Sequence, residues 1–191
     1  MTVLALTPPQ TVGPFFHPLV REGLNVLVAA STAGDRIRIE GQVLDGRREG
    51  VSDAMVEIWQ ANAQGRYRHP ADRRAVPLDP AFIGFGRAGT DRQGAYWFET
   101  IRPGRVPFDR ATTQAPHINV AVFARGLLHH LCTRIYFPED GPIATDPVLR
   151  MVPEHRRATL VARPAAQPGG TPGYRFDIVL QGEGETVFFD L

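Results

Sequence analysis

The sequence predicts an all-β protein: an antiparallel β-sandwich with an extended N-terminal arm and little helix. Three observations carry this. Short segments alternate apolar and polar residues with a period of two. Turn-forming clusters of Gly, Pro, Asp and Asn separate those segments. Only one stretch has the length and the flanking prolines of a helix. Many short strands with little helix bury their apolar faces best as two packed sheets. The 191 residues suit one such core, with residues 1–34 as the arm and 35–191 as the sandwich.

In the arm, Thr7 to Phe16 holds Pro8, Pro9 and Pro14 with no regular period, so it reads as extended or turn structure. Leu24 to Ala30 is apolar but too brief to choose between helix and strand. Arg36 to Leu44 alternates and ends at the Asp45-Gly46 turn. Ala54 to Gln60 alternates again. Ala61 to Gly84 is long and irregular, with Pro70, Pro77 and Pro80, and loops of that length inside a compact domain are usually functional or interfacial. A turn at Thr90 to Gly94 leads to the strand Ala95 to Glu99, closed by Arg102-Pro103-Gly104. The clearest alternation is Pro116 to Arg125. Ile118, Val120, Val122 and Ala124 fall on one face, with His117, Asn119, Ala121, Phe123 and Arg125 on the other. His130 to Phe137 reads as a further strand, Pro153 to Arg163 as a helix ended by Pro164, Tyr174 to Leu180 as a strand, and Thr186 to Phe189 as a last short one.

Composition excludes several function classes. The net charge is +1 with the basic residues dispersed, which argues against a nucleic-acid footprint. Lysine is absent, so Schiff-base chemistry and a P-loop are excluded. The one cysteine, Cys132, cannot form an internal disulfide and suits a reducing compartment. No run approaches the roughly 18 apolar residues of a membrane helix, and the first residues lack a signal-peptide pattern, so a cytoplasmic location is expected.

Four groups could carry chemistry. His117 and Asn119, two apart on a strand, project side by side as a His-x-His metal clamp would, with an amide in place of the second imidazole. On spacing alone they read as a hydrogen-bonded core or rim pair, since an amide oxygen is a weak ligand for a hard cation. Tyr67 lies between Arg66 and Arg68, with His69 next to them, and flanking positive charge would favour the phenolate; a surface tyrosine stacked on arginine is the plainer reading. His129 and His130 would point to opposite faces of a strand and cannot chelate one ion together. Cys132 reads as a small buried hydrophobe. A nucleophile elbow, a zinc-protease helix motif and a Gly-rich phosphate loop are all missing.

Several segments together resemble the intradiol ring-cleaving dioxygenases. They are Gly41-Gln42-Val43 with Asp45-Gly46, Val56 to Ala61, Gly65-Arg66-Tyr67, Asp91 to Phe98, Arg102-Pro103-Gly104 and Ala115 to Ile118. Tyr174 to Ile178 and Gly182 to Asp190 are similar to the non-catalytic α chains of heteromeric members that cleave protocatechuate. The resemblance implies a prealbumin-like sandwich core and a non-haem Fe(III) held by two Tyr and two His. Matched position by position, the tyrosines fall on Tyr67 and Val106 and the histidines on His117 and Asn119. Two of four ligands remain, too few anionic donors for a hard trivalent ion. The implied arrangement is iron in a homologous β subunit and none in this chain. Thr11, Gly13, Pro14 and Arg125 would then help wall the β chain's pocket for protocatechuate, which reacts there with O2. A straight strand would put Arg125 roughly 26 Å from His117, far from the local relic and free to reach a neighbour.

Two rival readings remain open at this point. Gly-x-Val-x-Asp and Thr-Asp-x-x-Gly-x-Tyr-x-Phe patterns also suit a non-enzymatic prealbumin-like scaffold or binding module. A homodimer with a site rebuilt from Tyr67, His69 and His117 is the other.

Overall fold

The computed structural model describes residues 17–139, 145–166 and 170–190. Two sheets form the core. Strand β1 (Arg36–Leu44) pairs antiparallel with β4 (Ala95–Ile101) from Arg36 to Gln42. On its other side β1 takes two short strands in succession, β10 (Gly173–Arg175) and β11 (Ile178–Val179), both parallel to it, and β9 (Arg163–Ala165) lies outside β10. The second sheet is antiparallel throughout, in the order β3 (Phe85–Gly89), β2 (Met55–Gln60), β7 (His117–Phe123), β8 (Leu131–Tyr136). A two-strand ribbon, β5 (Val106–Pro107) with β6 (Thr113–Gln114), stands apart from both.

Alternation predicted the core faces well. Ile37, Ile39 and Val43 of β1, Val56 and Ile58 of β2, Phe98 of β4, Ile118, Val120 and Val122 of β7 and Ile135 of β8 are buried between the sheets. A smaller cluster of Tyr136, Leu149, Val152 and Leu160 packs on the outside of the second sheet, which is why Tyr136 is buried although it points away from the main core. The described part of the arm is fastened to this domain. Leu27 enters the core, its N–H donates to the Glu99 carbonyl at 2.8 Å, and Val26 forms a single bridge with Glu99.

Several expectations need correction. The stretch Tyr174 to Leu180 is not one strand. At Phe176-Asp177 the pairing with β1 changes character: the Asp177 carboxylate accepts the Gln42 N–H (3.1 Å) in place of a backbone carbonyl. Gly41 makes this step possible, because a Cβ there would sit 1.8 Å from the Phe176 carbonyl oxygen. The Tyr96 hydroxyl donates to that same carbonyl at 2.6 Å, and burial raises its pKa far above the ordinary phenol value. Tyr96→Phe is therefore expected to lower stability by about 1–2 kcal/mol in urea unfolding, the cost of an unpaired buried carbonyl.

The helix expected over Pro153 to Arg163 is a 3₁₀ segment, Glu154–Leu160. Arg163 and Pro164 belong instead to β9, an edge strand where a missing N–H does no harm. Thr186 to Phe189 supplies only a bridge between Phe189 and Cys132. Strand β3 had no sequence signal because Gly86 and Gly89 interrupt it. Gly86 lies where Leu27 crosses the sheet: a Cβ would meet its Cδ1 at 2.5 Å, so a larger residue would push that side chain aside. His129 and His130 lie in the connection before β8, with His130 stacked on Phe123 at 5.2 Å. Cys132 is in β8 but half-buried, on the outward face.

Candidate functional site

The outward face of the second sheet carries the residues singled out by the sequence. Register places Trp59 opposite Asn119, Asn119 opposite Arg134 and His117 opposite Tyr136, so these side chains share one face. Over them folds the long loop after β2. Polar contacts, not strand pairing, give that loop its shape. The Asn62 carboxamide oxygen accepts from the backbone N–H groups of Gln64 (3.1 Å) and Arg66 (2.9 Å). Asp72 accepts the Tyr67 N–H at 2.9 Å and pairs with Arg74 at 2.5 Å, which holds its carboxyl well below the usual range. Arg74 also donates to the Gly65 carbonyl at 2.7 Å. Gly65 has φ +78° and would carry a Cβ 1.9 Å from the Arg105 carbonyl, so glycine is obligatory one turn before Tyr67.

The Tyr67 ring thereby lies on Trp59, centroids 5.8 Å apart. Its hydroxyl meets the Asn119 Nδ2 at 3.2 Å and the His117 Nε2 at 3.5 Å. The proton positions follow from the partners. His117 Nδ1 lies 2.8 Å from the Ala115 carbonyl, which can only accept, so Nδ1 carries the hydrogen and Nε2 offers a lone pair. The phenol donates to that lone pair. The Asn119 amide donates to the phenol oxygen and to the Trp59 carbonyl (3.2 Å).

Electrostatics keep this cluster neutral. Burial is the main cause that pushes the His117 pKa down to about 4, with the Arg134 guanidinium adding to it. Burial likewise raises the Tyr67 phenol above its ordinary value. The alternative of a lowered pKa at Tyr67 is not borne out, and neither is the plainer reading of a surface tyrosine stacked on arginine, since the ring is half-buried on Trp59. Arg66 spends its guanidinium on the carbonyls of Val76 and Asp72, and Arg68 on that of Pro80, so neither flanking charge offsets desolvation. The cations that do act on the phenol come from elsewhere, Arg134 on β8 and Arg74 in the loop.

Three of the four relic positions come together: Tyr67, His117 and Asn119. The fourth, Val106, is buried in β5 and brings no polar atom. This donor set does not suit ferric iron. Val106 is apolar where a second phenolate would be needed and the Asn119 amide turns an N–H toward the centre, which leaves one phenol and one imidazole for a trivalent cation. His69 lines the same shallow cavity as Tyr67, but its Nδ1 accepts the Ala71 N–H at 3.2 Å. Among the described residues no three His, Cys, Asp or Glu form a metal-holding group.

Arg125 lies elsewhere. Strand β7 stops at Phe123, and Arg125 stands in the turn beyond it, its Nε 2.9 Å from the Asp53 carboxylate and its side chain 68% exposed. Thr11, Gly13 and Pro14 lie outside the described residues. Sequence reasoning missed Arg134, Gln114 and Asp146. Arg134 donates to the Gln114 side chain at 2.7 Å and to the Tyr136 hydroxyl at 3.4 Å, and that hydroxyl donates to the buried Asp146 at 3.2 Å. The strand register that sets Arg134 opposite Asn119 is the signal that could have found it.

A sandwich whose outer sheet face gathers a tyrosine and a histidine beneath a long loop is the frame of a ring-cleaving dioxygenase. A sequence model of the dioxygenase family matches residues 13–182, and the chain belongs to this family, the intradiol ring-cleaving enzymes. Along its whole length it is similar to the protocatechuate 3,4-dioxygenase alpha chain of Burkholderia cepacia, with 45% identity and 100% of both chains covered. It is also similar to the beta chain from that organism, at 38% identity over 93% of this chain and 76% of the other. Among solved structures, the dioxygenase domain of a carbohydrate-binding fusion from a Streptomyces species superposes with TM-score 0.64 at 26% identity, covering 92% of this chain and 98% of that one. These likenesses favour the enzyme family over a non-enzymatic scaffold module.

Proposed function

We propose that this chain is the alpha subunit of a cytoplasmic protocatechuate 3,4-dioxygenase that holds no iron itself and completes the substrate pocket of a homologous beta subunit. The assembled enzyme would use O2 to open protocatechuate between its two hydroxyl-bearing carbons, giving 3-carboxy-cis,cis-muconate. Fe(III) would reside in the beta chain. The observation that carries this reading is the incomplete donor set at the relic site: Val106 is apolar, Asn119 presents an amide N–H, and only Tyr67 and His117 remain of the four positions. Likeness to both an alpha and a beta chain of one organism supports a pairing of two homologous subunits. Co-expression with a beta homologue, followed by separation and metal analysis of each chain, tests it. Iron and the phenolate charge-transfer colour are expected with the beta chain alone. Stoichiometric iron on this chain would refute the proposal.

Within that reading, Thr11, Gly13, Pro14 and Arg125 are this chain's contribution to the partner's pocket. Arg125 supports the role because its guanidinium is exposed and its ion pair with the partly exposed Asp53 is one that water readily exchanges. A substrate carboxylate can take the same fork of donors. Arg125→Ala is expected to raise KM for protocatechuate roughly 10- to 100-fold in the assembled enzyme, the loss of one charge-assisted hydrogen bond, and to change KM for uncharged catechols little. An equal loss for both substrates would exclude the carboxylate contact.

A further inference from the structure

The base of the N-terminal arm closes the seam between the edge strands β3 and β4. The Asn25 carbonyl accepts the Glu99 N–H at 2.9 Å, and the Leu24 carbonyl accepts the Arg87 N–H at 3.0 Å, so one short segment is bonded to both sheets. Just upstream the chain turns at Gly23, where φ is +81°. It then lies against β3. Val20 rests over Gly89, where a Cβ would come 3.3 Å from its Cγ1. The Leu19 carbonyl accepts Arg87 Nη1 at 2.9 Å. Arg87 therefore holds the arm twice, once by its backbone and once by its side chain.

The guanidinium is itself fixed. Glu57 stands opposite Arg87 in the β2–β3 register, and one of its carboxylate oxygens takes Nε at 2.7 Å and Nη2 as well. The two side chains are 22% and 18% exposed, so water screens this pair less than it would a fully exposed one. Strand β2 is paired on both sides, which refers the contact to the rigid middle of the sheet. All three guanidinium nitrogens are thus engaged, and a planar fork held this way fixes direction as well as distance. Residues 1–16 run on from this point. Thr11 is eight residues before Leu19, at most about 28 Å of chain, so the base limits where it can reach.

We propose that Arg87 is a positioning residue: locked by Glu57, it fixes where the arm leaves the domain, and so where Thr11, Gly13 and Pro14 meet the beta subunit. This rests on the subunit reading above but can fail while that reading stands. The test is a double-mutant cycle in the assembled full-length enzyme. Arg87→Met keeps an apolar stem and removes every donor. If the arm then occupies its working place about a tenth of the time, KM for protocatechuate rises about tenfold while kcat changes little. In an arm variant carrying Thr11→Ala and Pro14→Ala, Arg87→Met should add little, because the contacts it served are already gone. Glu57→Gln keeps an acceptor but loses the charge, and should fall between the wild type and Arg87→Met. It also serves as the test if thermal melting shows that Arg87→Met does not fold. A lowered melting temperature with KM unmoved makes the contact structural only and overturns the proposal. So do effects of Arg87→Met and of the arm variant that simply multiply. A wild-type chain that assembles with no beta homologue refutes the subunit reading and this proposal with it, whereas normal assembly with KM unmoved refutes this proposal alone.

Discussion

Replacing Asp146 with alanine is expected to destabilise the protein by about 3–4 kcal/mol, measured as the shift of a urea unfolding transition at constant slope. The carboxylate is 2% exposed and accepts four hydrogen bonds. One oxygen takes the N–H groups of Val148 (2.9 Å) and Leu149 (3.0 Å) and the Tyr136 hydroxyl, and the other takes the Ala115 N–H at 2.7 Å. Alanine leaves three buried backbone donors without an acceptor, and each such orphan costs about 1–3 kcal/mol before any water enters. Asp146→Asn separates charge from acceptor capacity. It keeps one oxygen for the Val148 and Leu149 side but sets an amide donor against the Ala115 N–H, so roughly half the loss is expected. A shift below about 1 kcal/mol for the alanine variant would show that the cluster is held by apolar packing alone.

The consequence reaches the relic site. Ala115 is tied through its N–H to Asp146 and through its carbonyl to His117 Nδ1. One residue thus links the outer cluster of Tyr136, Leu149 and Leu160 to the tautomer of the histidine. Loosening Asp146 should free the imidazole to rotate, because the carbonyl that fixes its proton would lose its anchor.

How far the sequence spoke depends on the range of each interaction. The strands with one buried face, β1, β2, β4 and β7, were legible because every second side chain reports the same environment. Strand β3 was not, since its two glycines exist to admit other parts of the molecule and carry no period of their own. Tyr67, His117 and Asn119 were legible through the motifs around them, and the structure does gather them. The phenolate that flanking arginines offered for Tyr67 does not arise, because the neighbours in sequence, Arg66 and Arg68, are not its neighbours in electrostatics. Arg134 carried no motif of its own, and only the β7–β8 register reveals that it faces Asn119. The reach of Arg125 could not be judged from an ideal strand, because β7 ends two residues earlier.

The buried histidine should also set the acid stability of the chain. In the folded state His117 has a pKa of about 4, chiefly because burial disfavours the imidazolium, whereas in the unfolded chain it takes the ordinary value near 6.5. Above pH 6.5 neither state binds the proton, and this residue makes no pH-dependent contribution. As pH falls below 6.5 the unfolded state takes up the proton first, so stability falls until the folded state also protonates near pH 4. The total loss over that window is about 3 kcal/mol. The charged groups facing the ring act in opposite senses: Arg134 lowers the pKa further, and Asp146 raises it. Exposed carboxylates contribute their own slope, so the quantity to measure is the difference between the wild type and His117→Asn in urea unfolding from pH 7.5 to 4. The variant is expected to be less stable at neutral pH, having lost the bond to the Ala115 carbonyl, yet to decline less steeply, so that the two stabilities converge as pH falls. Parallel curves would mean that the imidazole titrates alike in the folded and unfolded chains, and that the site is wetter than its packing implies.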